Sequence, residues 1–187
     1  MKFNDIYNNR IVVELGSGDG VLIKRISNIY TKSLVIGIEI NTAMYNLSLT
    51  NNKNKKNVLL YNKPFEKIIP KFEDNSISKV ISILPDPKYI DKTFQQNWIK
   101  FYKLVFNKLQ KNGTFFLITE VTNELFGEVS DDNYNNSITT LIHLFQSIGF
   151  KLIKNYEGYS SIYSTTLLKK FNRDKKRIRI STFKFKK

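Results

Sequence analysis

The 187-residue chain is long enough for a proper hydrophobic core, and we expect one domain over residues 1–187. It has no cysteine, which excludes disulfides and cysteine-ligated zinc, and its one histidine, His143, argues against a histidine-rich metal centre. Because neither a signal sequence nor an apolar run of membrane-spanning length is visible, we expect a soluble, cytoplasmic protein. A net charge of +14 favours a polyanionic partner, most simply nucleic acid.

The first predicted elements are a buried strand, a glycine-rich turn and a helix. Residues 11–15 form the strand, and the turn contains Gly16, Gly18 and Gly20. An apolar-periodic helix follows over residues 21–30. Three glycines in five residues allow a sharp turn and let a ligand approach without meeting a Cβ atom. This combination is typical of the nucleoside- or phosphate-binding end of a doubly wound α/β sheet.

The later elements continue this alternation of strands and helices. Residues 34–39 form a continuously apolar strand, as in a parallel sheet covered on both faces. Asn41 is a candidate N-cap for the next helix, and Gly149 is a candidate C-cap. The remaining predictions are a helix over 42–49, a polar loop over 51–57, strands over 58–61, 80–84 and 114–119, a short helix or turn over 64–70, helices over 94–109 and 134–148, a turn at 111–113, and late strands over 150–156 and 177–185.

The last predicted strand changes its apolar parity. Ile178 and Ile180 share one parity and Phe183 and Phe185 the other, which indicates a bulge or burial on both faces. The two late strands also lack a helical crossover between them. The predicted fold is therefore α/β and Rossmann-like, with a mostly parallel seven-stranded sheet, an antiparallel edge strand and helices on both faces.

Two carboxylates limit the classes of ligand that the glycine turn can bind. Glu39 ends the second strand 21 residues after Gly18, where a carboxylate bonds ribose hydroxyls in dinucleotide folds. A nicotinamide dinucleotide fold would carry a third glycine at the position of Val21. Glu14 precedes the turn and can face an ammonium group. We therefore interpret the turn as an S-adenosylmethionine pocket, ahead of a dinucleotide pocket.

Pro85, Asp86 and Pro87 end the fourth predicted strand. Ligands of open α/β sheets bind outside the carboxyl ends of the strands, so Asp86 would lie beside the transferable methyl group. The two prolines fix φ and stiffen this loop. The alternative is a proline-bounded turn in which Asp86 is only a capping residue.

Several segments together resemble one enzyme family. They are residues 13–20, 36–40, 84–87, Trp98, 117–120 and 165–171. In order and spacing they look like the motifs of the bacterial tRNA (guanine-N7)-methyltransferases over most of the chain. The first two are shared by many class I methyltransferases, whereas the Pro-Asp-Pro and late threonine segments are more specific. The resemblance implies a class I methyltransferase fold, S-adenosyl-L-methionine as methyl donor, no metal, and tRNA as partner.

The resemblance also implies roles for particular side chains. Asp86 would be the catalytic carboxylate. The residues implied at the methyl donor are Glu14, Gly16, Ser17, Gly18, Glu39, Ile40, Asn62 and Lys63. Those implied at the target base are Lys88, Glu120, Thr165 and Lys170.

The chain departs from the family pattern at four positions. Asn62 replaces an aspartate, and Lys88 and Ile90 replace an aromatic residue and a lysine beyond the second proline. Leu168 replaces a glutamate and cannot accept a hydrogen bond from guanine. We therefore expect target recognition to differ in detail from that of the family, or the target itself to differ.

A basic C-terminal segment over residues 169–187 carries ten Lys or Arg among nineteen residues, with Asp174 as its only acid. Such a segment can follow RNA phosphates with an affinity that falls steeply with salt. The alternative is a solvated edge strand whose lysines discourage edge pairing. RNA contact is favoured because the segment follows directly on Thr165.

Other conspicuous residues have structural interpretations. Trp98 lies in the apolar stripe of its helix and His143 on a helix surface, so neither is expected in the site. Three late tyrosines can stack on exposed bases, but partial burial at a strand end is favoured for them. These are Tyr156, Tyr159 and Tyr163.

Methylation of guanine N7 needs no strong base, because N7 has a free lone pair and carries no proton. Carboxylates can stabilise the positive charge that spreads over the imidazole ring, and Asp86 and Glu120 are the candidates. Two alternatives stay open: methylation of an exocyclic or amide nitrogen, and a non-catalytic RNA-binding subunit of the same fold. The sequence is compatible with a monomer, a homodimer or a complex with a partner subunit.

Overall fold

The computed structural model describes residues 10–123 and 127–187. Within these ranges, seven strands form one sheet in the order β3-β2-β1-β4-β5-β7-β6. The strands are β1 Ile11–Leu15, β2 Leu34–Glu39, β3 Val58–Asn62, β4 Ile77–Ile83, β5 Leu109–Val121, β6 Lys151–Glu157 and β7 Arg179–Lys186. The helices are α1 Val21–Ile29, α2 Thr42–Asn52, α3 Phe65–Ile68, α4 Gln95–Lys108, α5 Asp131–Ile148 and α6 Thr166–Phe171. Short 3-10 helices cover Ile69–Lys71, Pro87–Tyr89, Lys92–Phe94 and Ser161–Tyr163.

The sheet has the predicted architecture. Strands β1 to β5 run parallel, and β7 is antiparallel to both of its neighbours, β5 and β6. Strand β7 is not an edge strand, because β6 pairs along its outer side and itself forms that edge of the sheet. The interpretation of the basic segment as a solvated edge strand is therefore wrong.

The parity change in β7 reflects burial on both faces. Ile180 packs into the core on one face of the sheet, and Phe183 and Phe185 pack into the core on the other. The register of β7 with β5 is unbroken along its length. The bulge lies instead on β6, at Ile153.

Each face of the sheet carries its own apolar core, because successive residues of a strand point to opposite faces. Val13 faces the core that α4 and α5 cover, and Val12 faces the core that α1 and α6 cover. Trp98 is buried in the first core, where its indole N–H donates to the Asp91 carbonyl at 2.7 Å. His143 is exposed on α5. Both structural interpretations are therefore confirmed.

Helix α2 is longer than predicted. Its last residues, Asn51 and Asn52, were expected in a polar loop. Their side-chain amides instead reach the glycine turn, where they donate to the carbonyls of Asp19 at 2.9 Å and Gly20 at 3.1 Å. These hydrogen bonds hold the end of α2 against the glycine turn. The helix extends to Asn52, and the predicted helix end at residue 49 is therefore wrong.

The predicted turn at residues 111–113 lies inside β5 rather than before it. Leu109 lies opposite Ile77 and Thr114 opposite Lys79, so β5 loops out extra residues between two paired positions. Asn112 takes a left-handed φ of 68° in this bulge. The residues that favour a turn therefore bend the chain locally, but β5 is paired with β4 both before and after them.

Candidate active site

Five polar side chains lie at the carboxyl edge of the parallel strands, where open α/β sheets bind their ligands. They are Glu14 in β1, Glu39 at the end of β2, Asn62 at the end of β3, Asp86 after β4 and Glu120 near the end of β5. The parallel registers of β1 to β5 bring these strand ends together at one edge. The fold therefore gathers residues that lie far apart in the sequence.

The glycine turn is attached to the end of β2. The backbone N–H groups of Gly16 and Ser17 donate to the Ile38 carbonyl at 2.9 and 3.0 Å. Glu39 then bridges two segments, because Oε2 accepts from the Gly18 N–H at 2.8 Å and Oε1 from the Asn41 N–H at 2.7 Å. Glu39 thus sets the shape of the turn, and its contact with a donor ribose stays a prediction.

One side of the turn is open. Gly16 and Gly18 have φ values of +72° and +53°, and an added Cβ atom at either would meet no heavy atom within 4 Å. The other side is closed, because a Cβ atom on Gly20 would overlap Ser48 Oγ and lie 2.6 Å from Asn52 Nδ2. A ligand can therefore approach the backbone over Gly16 and Gly18, while Gly20 packs on α2.

Gly20→Ala should lower the free energy of unfolding by about 2–5 kcal/mol, since left-handed strain adds to overpacking against Ser48. Gly18→Ala is the matched control, because it shares the left-handed backbone but faces open space. It should cost only about 1–2 kcal/mol. Urea denaturation without ligand measures both values, and equal losses would contradict the close packing at Gly20.

Glu14 is a buried carboxylate with one unsatisfied oxygen among the described residues. Its exposed fraction is 2%, and Oε2 has no hydrogen-bond partner among the described residues. Burial, with smaller contributions from Asp19 and Glu39, raises its pKa well above the ordinary value of a glutamate. Ser17 Oγ is likewise buried and unpartnered. An ammonium and a hydroxyl group would satisfy these atoms, so the residues present fit the amino-acid end of a methyl donor.

The remaining donor-site predictions fall at the rim of the turn. Ile40 is 67% exposed, and Lys63 is also exposed. The Asn62 side chain is engaged within the protein, because Nδ2 donates to the carbonyls of Glu39 and Ile40 and Oδ1 accepts from Thr42 Oγ1. Asn62 therefore holds the end of β2 in place, and its contact with a donor stays a prediction.

Asp86 lies in a stiff loop beside β4. Its Oδ1 accepts from the Lys88 N–H at 3.0 Å and caps the 3-10 helix Pro87–Tyr89, so Asp86 is a capping residue whether or not it also acts in catalysis. Its Oδ2 lies 3.8 Å from Lys88 Nζ, and the side chain is 59% exposed. Tyr89 anchors the loop by packing on Phe65. The carboxylate is thus positioned and accessible, while its catalytic role stays a prediction.

Glu120 is the second carboxylate on this side of the edge. It is half-buried, Oε2 has no hydrogen-bond partner among the described residues, and burial raises its pKa. The carboxyl group therefore has an unsatisfied acceptor at this edge, or a donor while it holds its proton, and its contact with the target base stays a prediction.

Thr165 is the N-cap of α6, where its Oγ1 accepts from the Leu168 N–H at 3.1 Å. Leu168 is fully buried in the core beneath α1. Lys170 is exposed on the same short helix. The departure at Leu168 is therefore structural, because this position faces the core and not the open edge.

Comparison with known proteins agrees with this architecture. A family model described as "Putative methyltransferase" matches residues 8–146. The chain belongs to this methyltransferase family. None of the curated proteins is similar enough in sequence to give a match.

Solved structures share the fold of this methyltransferase at low sequence identity. The 16S rRNA methyltransferase KamB gives a TM-score of 0.75 at 12% identity, over 100% of this chain and 94% of that one. An antibiotic-related methyltransferase gives 0.67 at 14%, over 95% and 88%. TYW2 of M. jannaschii, in complex with AdoMet, gives 0.58 at 20%, over 95% and 68%. The likeness shows the fold, which is that of Rossmann-like class I methyltransferases.

Substitution of Leu168 by glutamate should not restore a family contact in this methyltransferase. Leu168→Glu would place a carboxylate in the core and should lower the free energy of unfolding by about 3–5 kcal/mol. Leu167→Glu is the matched control, because Leu167 is 47% exposed and its substitution should be nearly neutral. Thermal or urea unfolding distinguishes the two, and a stable Leu168→Glu protein would contradict the assigned burial.

The structure adds Arg25 to the residues that shape the site of this methyltransferase. Its Nη1 donates to three carbonyls, those of Ser161 at 3.3 Å, Ile162 at 2.9 Å and Ser164 at 2.9 Å. Arg25 thereby anchors the segment that leads into Thr165. The sequence carries no signal for this contact, because the partners are more than 130 residues apart.

Two further features concern only the described part of the methyltransferase. Within residues 10–123 and 127–187, no group of three or more His, Asp or Glu side chains is placed to hold a metal ion. No helix in the same ranges is both long and apolar enough to cross a membrane.

Proposed function

We propose that this methyltransferase uses S-adenosyl-L-methionine as its methyl donor. The observation that carries the proposal is Glu14, a buried carboxylate near the end of β1 beside the glycine turn, whose Oε2 has no partner within residues 10–123 and 127–187. An ammonium group is the ligand that best compensates such a charge. Gly16 and Gly18 leave open space for the rest of the donor, and Glu39 offers its carboxylate to ribose hydroxyls.

The proposed acceptor is guanine N7 in tRNA. Three observations support it: the motifs around Asp86 and Thr165 resemble those of the tRNA (guanine-N7)-methyltransferases, the net charge is +14, and two carboxylates flank the edge of the sheet. The only histidine lies on α5 outside this edge, and the chain has no cysteine. Carboxylates without a histidine or thiol base suit a nitrogen that has a lone pair and no proton to lose.

The proposed reaction needs no proton transfer at the acceptor atom. The bound donor supplies an electrophilic methyl group on its sulfonium. The N7 lone pair forms the new N–C bond as the C–S bond breaks, so positive charge leaves sulfur and spreads over the imidazole ring. Asp86 and Glu120 stabilise that charge, and either carboxyl group can also bond the guanine N1–H or amino group. Glu14 and Glu39 hold the donor in place.

The decisive experiment is incubation with bulk unmodified tRNA and labelled S-adenosyl-L-methionine, followed by nucleoside analysis. We expect 7-methylguanosine as the labelled product. Label on an exocyclic or amide nitrogen would contradict guanine N7 as the acceptor and support the alternative acceptor. Binding of S-adenosylhomocysteine, seen as a rise in Tm, tests the donor pocket separately. Binding of donor and tRNA without turnover would indicate a non-catalytic subunit, and no binding of the donor would contradict the proposal at its root.

For the quaternary structure we propose a monomer or a homodimer, with a partner subunit as the alternative source of base contacts. Sedimentation of the protein alone gives its oligomeric state. Methylation of tRNA only after a second protein is added would identify the partner-dependent form.

A further inference from the structure

A basic groove lies beside the proposed transfer site, on the face of the sheet that α1 and α6 cover. Its volume is about 620 Å³. Gly158 and Tyr159, which directly follow β6, contribute to its lining. The side chains that line the rest of it are Arg25, Ser161, Ser164, Lys169, Asn172 and Lys175.

The charge of the groove is uncompensated. It contains three cations and no lining carboxylate. Among the described residues, no Asp or Glu oxygen lies within 4 Å of Arg25, Lys169 or Lys175, since the ion pairs involve other side chains. Arg25 Nη1 donates to backbone carbonyls. These hydrogen bonds orient the guanidinium group without cancelling its charge. Ser161, Ser164 and Asn172 add polar side chains that can donate hydrogen bonds.

The rest of the basic segment is largely engaged in structural contacts. Arg179 pairs with Asp131 and Glu157, and Lys187 donates to Asn75 and to two carbonyls. Lys176 and Arg177 pair with Glu128 and Asp174. The exposed cations of this segment that have no such ion pair cluster on and just after α6: Lys169, Lys170, Arg173 and Lys175. Two of these four cations, Lys169 and Lys175, line the groove together with Arg25.

The groove opens at the same edge of the sheet as the proposed active site. Strand β6 is parallel to β5, because both are antiparallel to β7. Glu120 lies opposite Ile180, and Glu157 lies opposite the next residue of β7, so the ends of β5 and β6 are nearly level. Gly158 follows directly and begins the groove. Arg25 lies about 7 Å along α1 from the glycine turn, at 1.5 Å per residue.

We propose that this groove binds the phosphate backbone of the RNA acceptor next to the nucleotide that is methylated. This inference rests on the proposed function, and it adds the surface by which the acceptor is held. Phosphate oxygens would meet Lys169, Lys175 and Arg25, and the half-buried Tyr159 is placed for a base to stack on it. Because the contacts are to phosphates, they position the RNA and add affinity without reading its sequence.

The test compares two double substitutions that remove the same charge. Lys169→Gln with Lys175→Gln changes the groove, and Lys100→Gln with Lys103→Gln changes exposed positions of α4 on the opposite face. Fluorescence anisotropy with bulk unmodified tRNA between 50 and 200 mM KCl gives affinity and its salt dependence. The groove variant should bind about tenfold more weakly at 100 mM KCl, and its salt slope should fall by about 1.5, for two lost phosphate contacts. The control should lose no more than about twofold, because screening weakens distant charge.

Each outcome decides one of the two proposals. Equal losses in both variants overturn the groove and leave the RNA acceptor in place. An unaltered protein that neither binds nor methylates tRNA overturns the acceptor, and the groove with it. Calorimetry with S-adenosylhomocysteine should give the same affinity for all three proteins, which shows that both variants keep the fold and the donor pocket.

Discussion

Asp86→Ala is expected to slow the methyl-transfer step about 100- to 1000-fold, the loss typical of removing one preorganised electrostatic group. Asp86 lies at the carboxyl edge in a loop held by two prolines and by the packing of Tyr89. Its carboxylate would face the positive charge that develops on the guanine ring. Single-turnover rates with saturating donor and tRNA measure the chemical step apart from product release.

The conservative variant separates charge from loop geometry. Asp86→Asn keeps an oxygen that can cap the Lys88 N–H but removes the negative charge. If both variants are slow, the charge is responsible; if only alanine is slow, Asp86 acts through the cap and its assignment as the catalytic residue is wrong. Alanine and wild-type proteins with equal rates would remove Asp86 from the reaction altogether. Donor affinity should be unchanged in both variants.

Glu14→Gln is expected to weaken donor binding at least about 30-fold, since truncating one partner of a buried ion pair costs about 2–5 kcal/mol. The same change should stabilise the ligand-free protein, because it removes a buried carboxylate whose Oε2 has no partner among the described residues. Calorimetry with S-adenosylhomocysteine and urea denaturation measure the two effects. Glu73→Gln, an exposed carboxylate far along the chain, should change neither. Lower affinity with lower stability would indicate a structural role instead.

The pH dependence of donor binding follows from the raised pKa of Glu14. At low pH the carboxyl group is protonated and neutral, so it attracts an ammonium group only weakly. Donor affinity should therefore rise as the pH rises through the Glu14 pKa, with release of a proton on binding. In the ligand-free protein the sign is opposite, because the unfolded chain loses this proton at lower pH than the folded one, and stability falls as the pH rises through the same window. Glu14→Gln should abolish both dependences, which calorimetry in buffers of different ionisation enthalpy can measure.

The sheet could be predicted because its strands carry local signals. Residues 34–39 are apolar throughout, Asn41 caps α2 through the Met44 N–H, and Gly149 ends α5 with a left-handed φ of 116°. The position of β7 between β5 and β6 carried no such signal. Strand order within a sheet depends on which apolar faces fit together, and Phe183 and Phe185 find their partners far from their own segment.

The donor side of the candidate site was more predictable than the acceptor side. The glycine turn and Glu39 are close to β1 and β2 in sequence, and their spacing alone placed them together. The acceptor side depends on contacts across most of the chain, such as Arg25 with residues 161–164. Neither the burial of Leu168 nor the groove could be deduced from local patterns, because both depend on where α6 meets the core that α1 also covers.

The insertion of β7 between β5 and β6 has a consequence for biosynthesis. Strand β6 leaves the ribosome roughly twenty residues before β7 does, and it has no hydrogen-bonded neighbour in the sheet during that time. At about 5–20 residues per second the delay is roughly one to four seconds. For that interval β5 presents an unpaired apolar edge, which is the kind of surface that promotes misassociation of nascent chains. Entry of β7 between β5 and β6 pairs both edges of this strand and adds its side chains to both cores.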